Sequence, residues 1–229
     1  MMADQLLSTN GSNAVFTAIS TAGNAVFLSG DNVSQYQMSV NQGSPAVRIN
    51  SALSDSASVF GVSGQGARIR EIIRDTGGSS YFMQDHGAKV IRAQDTAETL
   101  NAQFAPGGAG ASIPAPTQLL NPITRLNENN YLAVQLQTVA KVIAASQVFG
   151  IRRQVFFVSM GGFDNHDFQN VSQTPLLARI AHAMAYFDGA LANVGGVDMR
   201  DRVTTFTASA FSRTFTTNGD GTDHAWGSH

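Results

Sequence analysis

Gln154 to Met160 (QVFFVSM) is a short, nearly continuous apolar run rich in β-forming residues, and it constrains the fold more than any other stretch of the chain. Such a run fits a strand covered on both faces, because a half-exposed strand would alternate polar and apolar residues. Its neighbours narrow the choice further. Tyr131 to Val148 places Leu132, Leu136, Val139, Val142 and Ile143 at spacings of three and four, which predicts a helix with one apolar face, and Gly150 stops it. Thr174-Pro175 predicts the opening of a second helix running to about Val194, with Pro175 in its first turn and Gly195-Gly196 just past its end. Asp201 to Ser209 (DRVTTFTAS) reads as the next strand. Strand, helix and strand in that order imply a parallel βαβ unit in an α/β sheet.

The sequence before this core is different in kind. It is rich in Ser, Asn, Gln, Gly and Ala, and short apolar stretches such as Ala25 to Asp31 and Ala46 to Ile49 read as short strands between polar turns. Ala67 to Thr76 carries Ile69, Ile72 and Ile73 at helical spacing and stops at Gly77-Gly78, and Asp95 to Phe104 reads as a further short helix. Ala105 to Thr117 (APGGAGASIPAPT) is a surface loop by composition. The organisation is one partial domain over residues 1–229: a polar region over 1–104, the loop over 105–117, and a βαβ core over 118–229.

Composition removes several functions. A net charge of -2 with only 13% charged residues leaves no basic stripe for nucleic acid. With no cysteine there is neither a disulfide framework nor a thiolate metal site. No run approaches the ~18 to 20 apolar residues that span a bilayer, and Met1-Met2-Ala3-Asp4 lacks the sections of a signal peptide. The 43% apolar content suffices for a packed core.

Candidate chemistry lies in the last third. In an open α/β sheet, ligands bind beyond the carboxyl ends of the strands, where Gly161-Gly162-Phe163-Asp164-Asn165-His166 follows the 154–160 run. Asp164 and His166 are two apart, so in extended chain both side chains point the same way, and carboxylate with imidazole suits Zn²⁺, Mn²⁺ or Fe²⁺. A second Asp/His pair, Asp223-His224, follows the turn-rich Asn218-Gly219-Asp220-Gly221 and precedes Trp226 and His229. Neighbours on a regular strand cannot both point into one site, whereas an irregular Gly-flanked segment permits it. Read alone, each pair also fits a polar loop that holds nothing. Arg213 falls just after the 201–209 run and could reach the same sheet edge to bind a phosphate or sulfate oxygen; a plain surface arginine fits it equally. His182 reads as a partly exposed helical residue and His86 as a turn residue. Gly61-Val62-Ser63-Gly64 lacks the preceding strand of a nucleophile elbow.

Several of these motifs occur in one order. Leu132 to Ala140, Val155 to His166, Val203 to Arg213 and Asn218 to Gly227 together resemble the bacterial domain of unknown function 1501 family, whose members carry a twin-arginine export signal and belong to the alkaline phosphatase and sulfatase superfamily. The resemblance is most specific from Leu132 onward; the first 120 or so residues fit the family's variable middle. It implies a three-layer αβα fold with a mostly parallel central sheet, and two divalent cations at the strand ends. Asp164 and His166 look like ligands of the first cation, Asp223 and His224 of the second, and His229 completes the set. Two such cations would clamp the attacking and leaving oxygens of a small phosphate or sulfate ester, with Arg213 steadying the anion. Periplasmic or secreted location follows from the same likeness. Two departures stand out. Ala210 occupies the place of a carboxylate in the family's Glu-Phe-Gly-Arg type sequence, and the family's first strand, with its Gly-Gly and Asp, has no counterpart. The chain therefore reads as an internal fragment, incomplete at both ends, of an exported metal-dependent hydrolase, inactive in isolation. The alternatives are a non-catalytic binding or surface-structural protein on the same fold, motivated by Ala210, and a soluble α/β domain whose Asp/His pairs hold nothing.

Overall fold

Asn130 starts the central helix of the molecule, because its side-chain oxygen accepts a hydrogen bond from the Leu132 amide at 3.2 Å and so satisfies one of the donors that a helix start leaves free. In the computed structural model, which describes residues 2–38, 40, 58, 61–74 and 80–225, this helix covers Tyr131–Ala145. All of its 15 residues except Tyr131, Val134 and Lys141 are buried. It ends as predicted. Gly150 takes φ 66, and the amides of Ile151 and Gly150 return to the carbonyls of Ser146 and Gln147, the paired closure that a left-handed glycine allows.

Numbered along the chain, this helix is α4; before it come α1 (Met2–Leu7), α2 (Gly66–Arg74) and α3 (Tyr81–Phe104), and after it α5 (Gln169–Leu191). A three-stranded parallel sheet lies beside them in the order β2 (Tyr36–Gln37), β1 (Ala18–Ser20), β5 (Val155–Phe157). Two antiparallel pairs complete the elements used here: β3 (Leu119–Leu120) with β4 (Asn127–Glu128), and β6 (Ser212–Thr217) with β7 (Thr222–Ala225). The protein is thus mixed α/β.

Alternation along the strands divides the core. Ile19 and Phe156 face α3 and α4, joining Phe16, Met38, Leu100, Val142 and Phe149. Ala18, Val155 and Phe157 face the other way, toward Ala3, Ala25, Leu28 and Val33. A third cluster joins Leu132, Leu136, Val139 and Ile143 of α4 to Ala183, Phe187, Ala190 and Leu191 of α5. Burying a side chain such as Ile19 or Leu28 contributes about 1.5–3 kcal/mol.

Two buried amide side chains fix β5 at its ends. Asn10 accepts from the amides of Arg152 and Arg153 at 3.0 and 3.2 Å and donates to the Arg153 carbonyl at 2.7 Å and the Thr17 hydroxyl at 2.8 Å. Gln135, fully buried on α4, donates to the Ser159 carbonyl at 2.8 Å and accepts from the Ser159 amide at 3.2 Å and the Thr21 hydroxyl at 2.9 Å. A side-chain amide thereby takes the place of a strand neighbour just beyond β5 and β1. The clamp fixes where the chain leaves the sheet at Ser159.

Some predicted elements differ. Val26–Leu28 is a 3₁₀ turn, not a strand, because it lays Leu28 into the core while Val26 and Phe27 stay exposed. The strand over Ala46 to Ile49 and the Gly77-Gly78 stop lie outside the described residues. His86 sits inside α3, which continues through Gly87; the helix predicted from Asp95 is its C-terminal half. Helix α5 begins at Gln169, so Pro175 lies within it. Tertiary hydrogen bonds hold the extra turn: the Gln169 amide donates to the Asp220 carbonyl at 3.1 Å, and the Thr222 hydroxyl donates to Gln169 Oε1 at 2.8 Å. Residues 203–209 form no strand, since among the described residues no neighbouring chain pairs with them, and Phe206 is 70% exposed. The predicted strand–helix–strand unit is replaced by β5, α5 and a β6–β7 hairpin. The polar first part of the chain also supplies more than predicted: β1, the central strand, comes from it.

Candidate metal centre

The backbone leaves β5 at Phe157, passes Ser159 under the Gln135 clamp, and turns at Gly162, whose φ of 99 is a left-handed conformation suited to glycine. Residues 161–166 then run alongside the β6–β7 hairpin. Gly221 at the hairpin tip makes this approach feasible, because a Cβ there would lie 1.8 Å from the His166 carbonyl oxygen. The Asn218 amide group donates to that same carbonyl at 3.3 Å. On the other side Arg213 bridges the two segments, donating from Nη1 to the Thr222 carbonyl at 2.7 Å and from Nη2 to the Phe163 carbonyl.

This packing brings Asp164, His166 and His224 together, with one donor atom from each within 4.8 Å of the others. Asp164 Oδ1 lies 2.9 Å from His224 Nε2 and 3.4 Å from His166 Nε2. The two imidazoles stack with centroids 4.8 Å apart; Phe211 stacks on the far side of His224 at 4.0 Å, and the Arg213 guanidinium covers Phe211 at 5.0 Å. Ligands of a tetrahedral zinc at ~2.0–2.2 Å stand roughly 3.3 Å apart, so the Asp164 oxygen lies near ligand spacing from each imidazole nitrogen, and the three residue types suit a divalent transition metal. All three side chains are exposed, and the centre opens to solvent.

Asp223 is a neighbour of His224 on β7, yet both reach the 164–166 segment. The hairpin register moves from Arg213↔His224 to Thr217↔Thr222, so four steps on β6 answer two on β7. The extra residues bulge on β6, and opposite them Asp223 approaches His166 and His224 approaches Asp164. Asp223 Oδ1 lies 3.1 Å from His166 Nδ1 and accepts from Asn218 Nδ2 at 3.1 Å. The hydrogen bond from His166, then that from Asn218, holds the Asp223 carboxyl below its usual range.

Of the residues named from sequence, Asp164, His166, Asp223 and His224 meet at this centre, Arg213 braces its wall through carbonyls, and His229 lies outside the described residues. His182 stands elsewhere: its Nδ1 is 3.1 Å from Asn130 Nδ2 and its Nε2 is 3.3 Å from the Thr117 hydroxyl. Sequence reading missed Gln135, Asn218 and Gly221. Gln135 left a trace, a polar residue inside the apolar stretch of α4 that burial obliges to find partners. Asn218 and Gly221 read only as turn residues.

An α/β domain with carboxylate and imidazole donors gathered just beyond a parallel strand is the class that fold and site define. The chain belongs to the family described as protein of unknown function (DUF1501), whose sequence model matches residues 38–229. No curated protein and no solved structure matches it. Among the described residues no helix is long and apolar enough to cross a membrane.

Proposed function

We propose that this chain is the metal-binding part of a hydrolase acting on small phosphate or sulfate esters, built on an alkaline phosphatase-like αβα arrangement. The observation that supports it is the convergence of Asp164, His166 and His224 from two distant segments at the carboxyl end of β5. A divalent cation such as Zn²⁺ or Mn²⁺ held there would supply Lewis-acid polarisation of an ester oxygen. The chain's own groups do the rest that can be assigned. Asp164 supplies negative charge, the two imidazoles supply neutral nitrogen donors, and the Phe211 ring backs His224 so that its plane stays fixed. With Arg213 engaged by the Thr222 and Phe163 carbonyls, the ester anion is left to the cation. On the likeness set out above, the protein carrying this chain is exported by the twin-arginine route, and a second cation completes its centre.

Elemental analysis of the purified chain after equilibration with Zn²⁺ or Mn²⁺ tests the reading. About one equivalent or more per chain, lost in Asp164→Ala and His224→Ala, supports it; folded protein that retains no metal contradicts it. The engagement of Arg213 and the alanine at position 210 favour a second reading, a cation-binding protein without catalysis. Tight metal binding with no hydrolysis of p-nitrophenyl phosphate or sulfate by the complete reading frame would select that second reading.

A further inference from the structure

We infer that Phe168 is a specificity-determining residue, whose ring takes the aryl part of an ester held by its anion at the metal centre. The inference rests on the metal-binding reading above and adds to it the class of alcohol. Phe168 sits at φ 49, ψ 37, in the left-handed region, and with Arg125 it is one of two residues other than glycine at positive φ among the described residues. The hairpin turn fixes the backbone on both sides of it. Asn218 donates to the His166 carbonyl at 3.3 Å, and the Asp220 carbonyl accepts from the Gln169 amide at 3.1 Å.

Nothing in the fold calls for a phenylalanine between those anchors. Left-handed backbone suits glycine or asparagine and is an outlier for a bulky side chain. The same residue stands at the N-cap of α5, where Ser, Thr, Asp or Asn would bond a free amide and a phenyl ring cannot. The ring is 70% exposed and belongs to none of the apolar clusters. A side chain that breaks three local rules at once, in a segment pinned by hydrogen bonds, points to a contact outside the chain. Its place indicates which contact. Two peptide units separate it from His166, so the two Cα atoms lie at most ~7 Å apart. Asp164, His166 and His224 are all exposed, and Val171, one turn into α5, adds a second exposed apolar side chain. A small ester bound by its anion at this open centre projects its alcohol part outward, within reach of the ring, and aromatic pairs interact at centroid separations of ~4.5–7 Å.

Calorimetric titration of the zinc-loaded full chain with phenylphosphonate and with methylphosphonate tests this, with zinc content measured on the same samples by elemental analysis. The wild type is expected to bind phenylphosphonate roughly five- to tenfold more tightly than methylphosphonate. Phe168→Asn, whose side chain suits both left-handed backbone and a helix cap, should bind methylphosphonate as the wild type does, lose the preference for the phenyl group, and melt ~2–4 °C higher. Phe168→Tyr should keep the preference. The same preference in Phe168→Asn as in the wild type, or no preference in the wild type, would overturn the inference and leave the metal reading standing. A chain that takes up no zinc would overturn both.

Discussion

Strand β5 is held at both ends by a buried amide, yet the two ends lead to unlike regions. At its start the buried Asn10 satisfies the backbone of Arg152 and Arg153, whose side chains are exposed, and ties it to the buried Thr17. At its end Gln135 does the same for Ser159, but the chain then runs into solvent, where Asp164, His166 and His224 are all exposed. The first region is shaped by burial, and any unpaired polar group there is costly. The second is shaped by close backbone approach and a few side-chain bonds, so its order costs little stability and its disruption should appear mainly in binding.

The comparison predicts unequal consequences. Asn10→Ala should lower stability most, by about 3 kcal/mol in a denaturant melt, because it leaves two amides and a carbonyl without partners. A change under about 0.5 kcal/mol would show that water replaces the clamp. Gln135→Leu keeps the bulk but loses three hydrogen bonds, and should cost about 2 kcal/mol while also weakening zinc binding, since Ser159 positions the loop that carries Asp164. Equal zinc affinity in that variant would uncouple the buried region from the exposed one. Gly221→Ala should cost about 1–3 kcal/mol and lower zinc affinity on the order of tenfold, because its Cβ would collide with the His166 carbonyl, a backbone group that has to move.

The smallest effect concerns acid. Asp4 accepts from the amides of Asn32, Asp31 and Val33, and these bonds, that of Asn32 foremost, hold its carboxyl below 3.8. A depressed carboxylate contributes stability that is present above the unfolded value and lost as pH falls through the folded one. Asp4→Asn should therefore flatten the stability profile below about pH 4 and leave zinc binding at neutral pH unchanged. Melts of both proteins across that range check this.

Much of the second region was legible because its signals are local. The apolar spacing of α4, the Gly150 stop and the short β5 run each follow from neighbouring residues, and so do the two Asp/His pairs. The buried framework was less so. β1 is three residues long, and its central place comes from pairing with Tyr36 and Phe156, which no local pattern encodes. The start of α5 was misplaced at Thr174-Pro175 because Gln169 is recruited by Asp220 and Thr222, far along the chain. The Asp201 to Ser209 run has strand composition, but a strand needs a neighbour. The irregular register of β6 against β7 is likewise a property of the paired hairpin.

Zinc K-edge X-ray absorption on the loaded chain tests the central claim most directly. The account predicts a first shell of oxygen and nitrogen at ~2.0–2.1 Å with two imidazole rings, falling to one in His224→Ala. A shell with no imidazole, or one unchanged by His224→Ala, would contradict it.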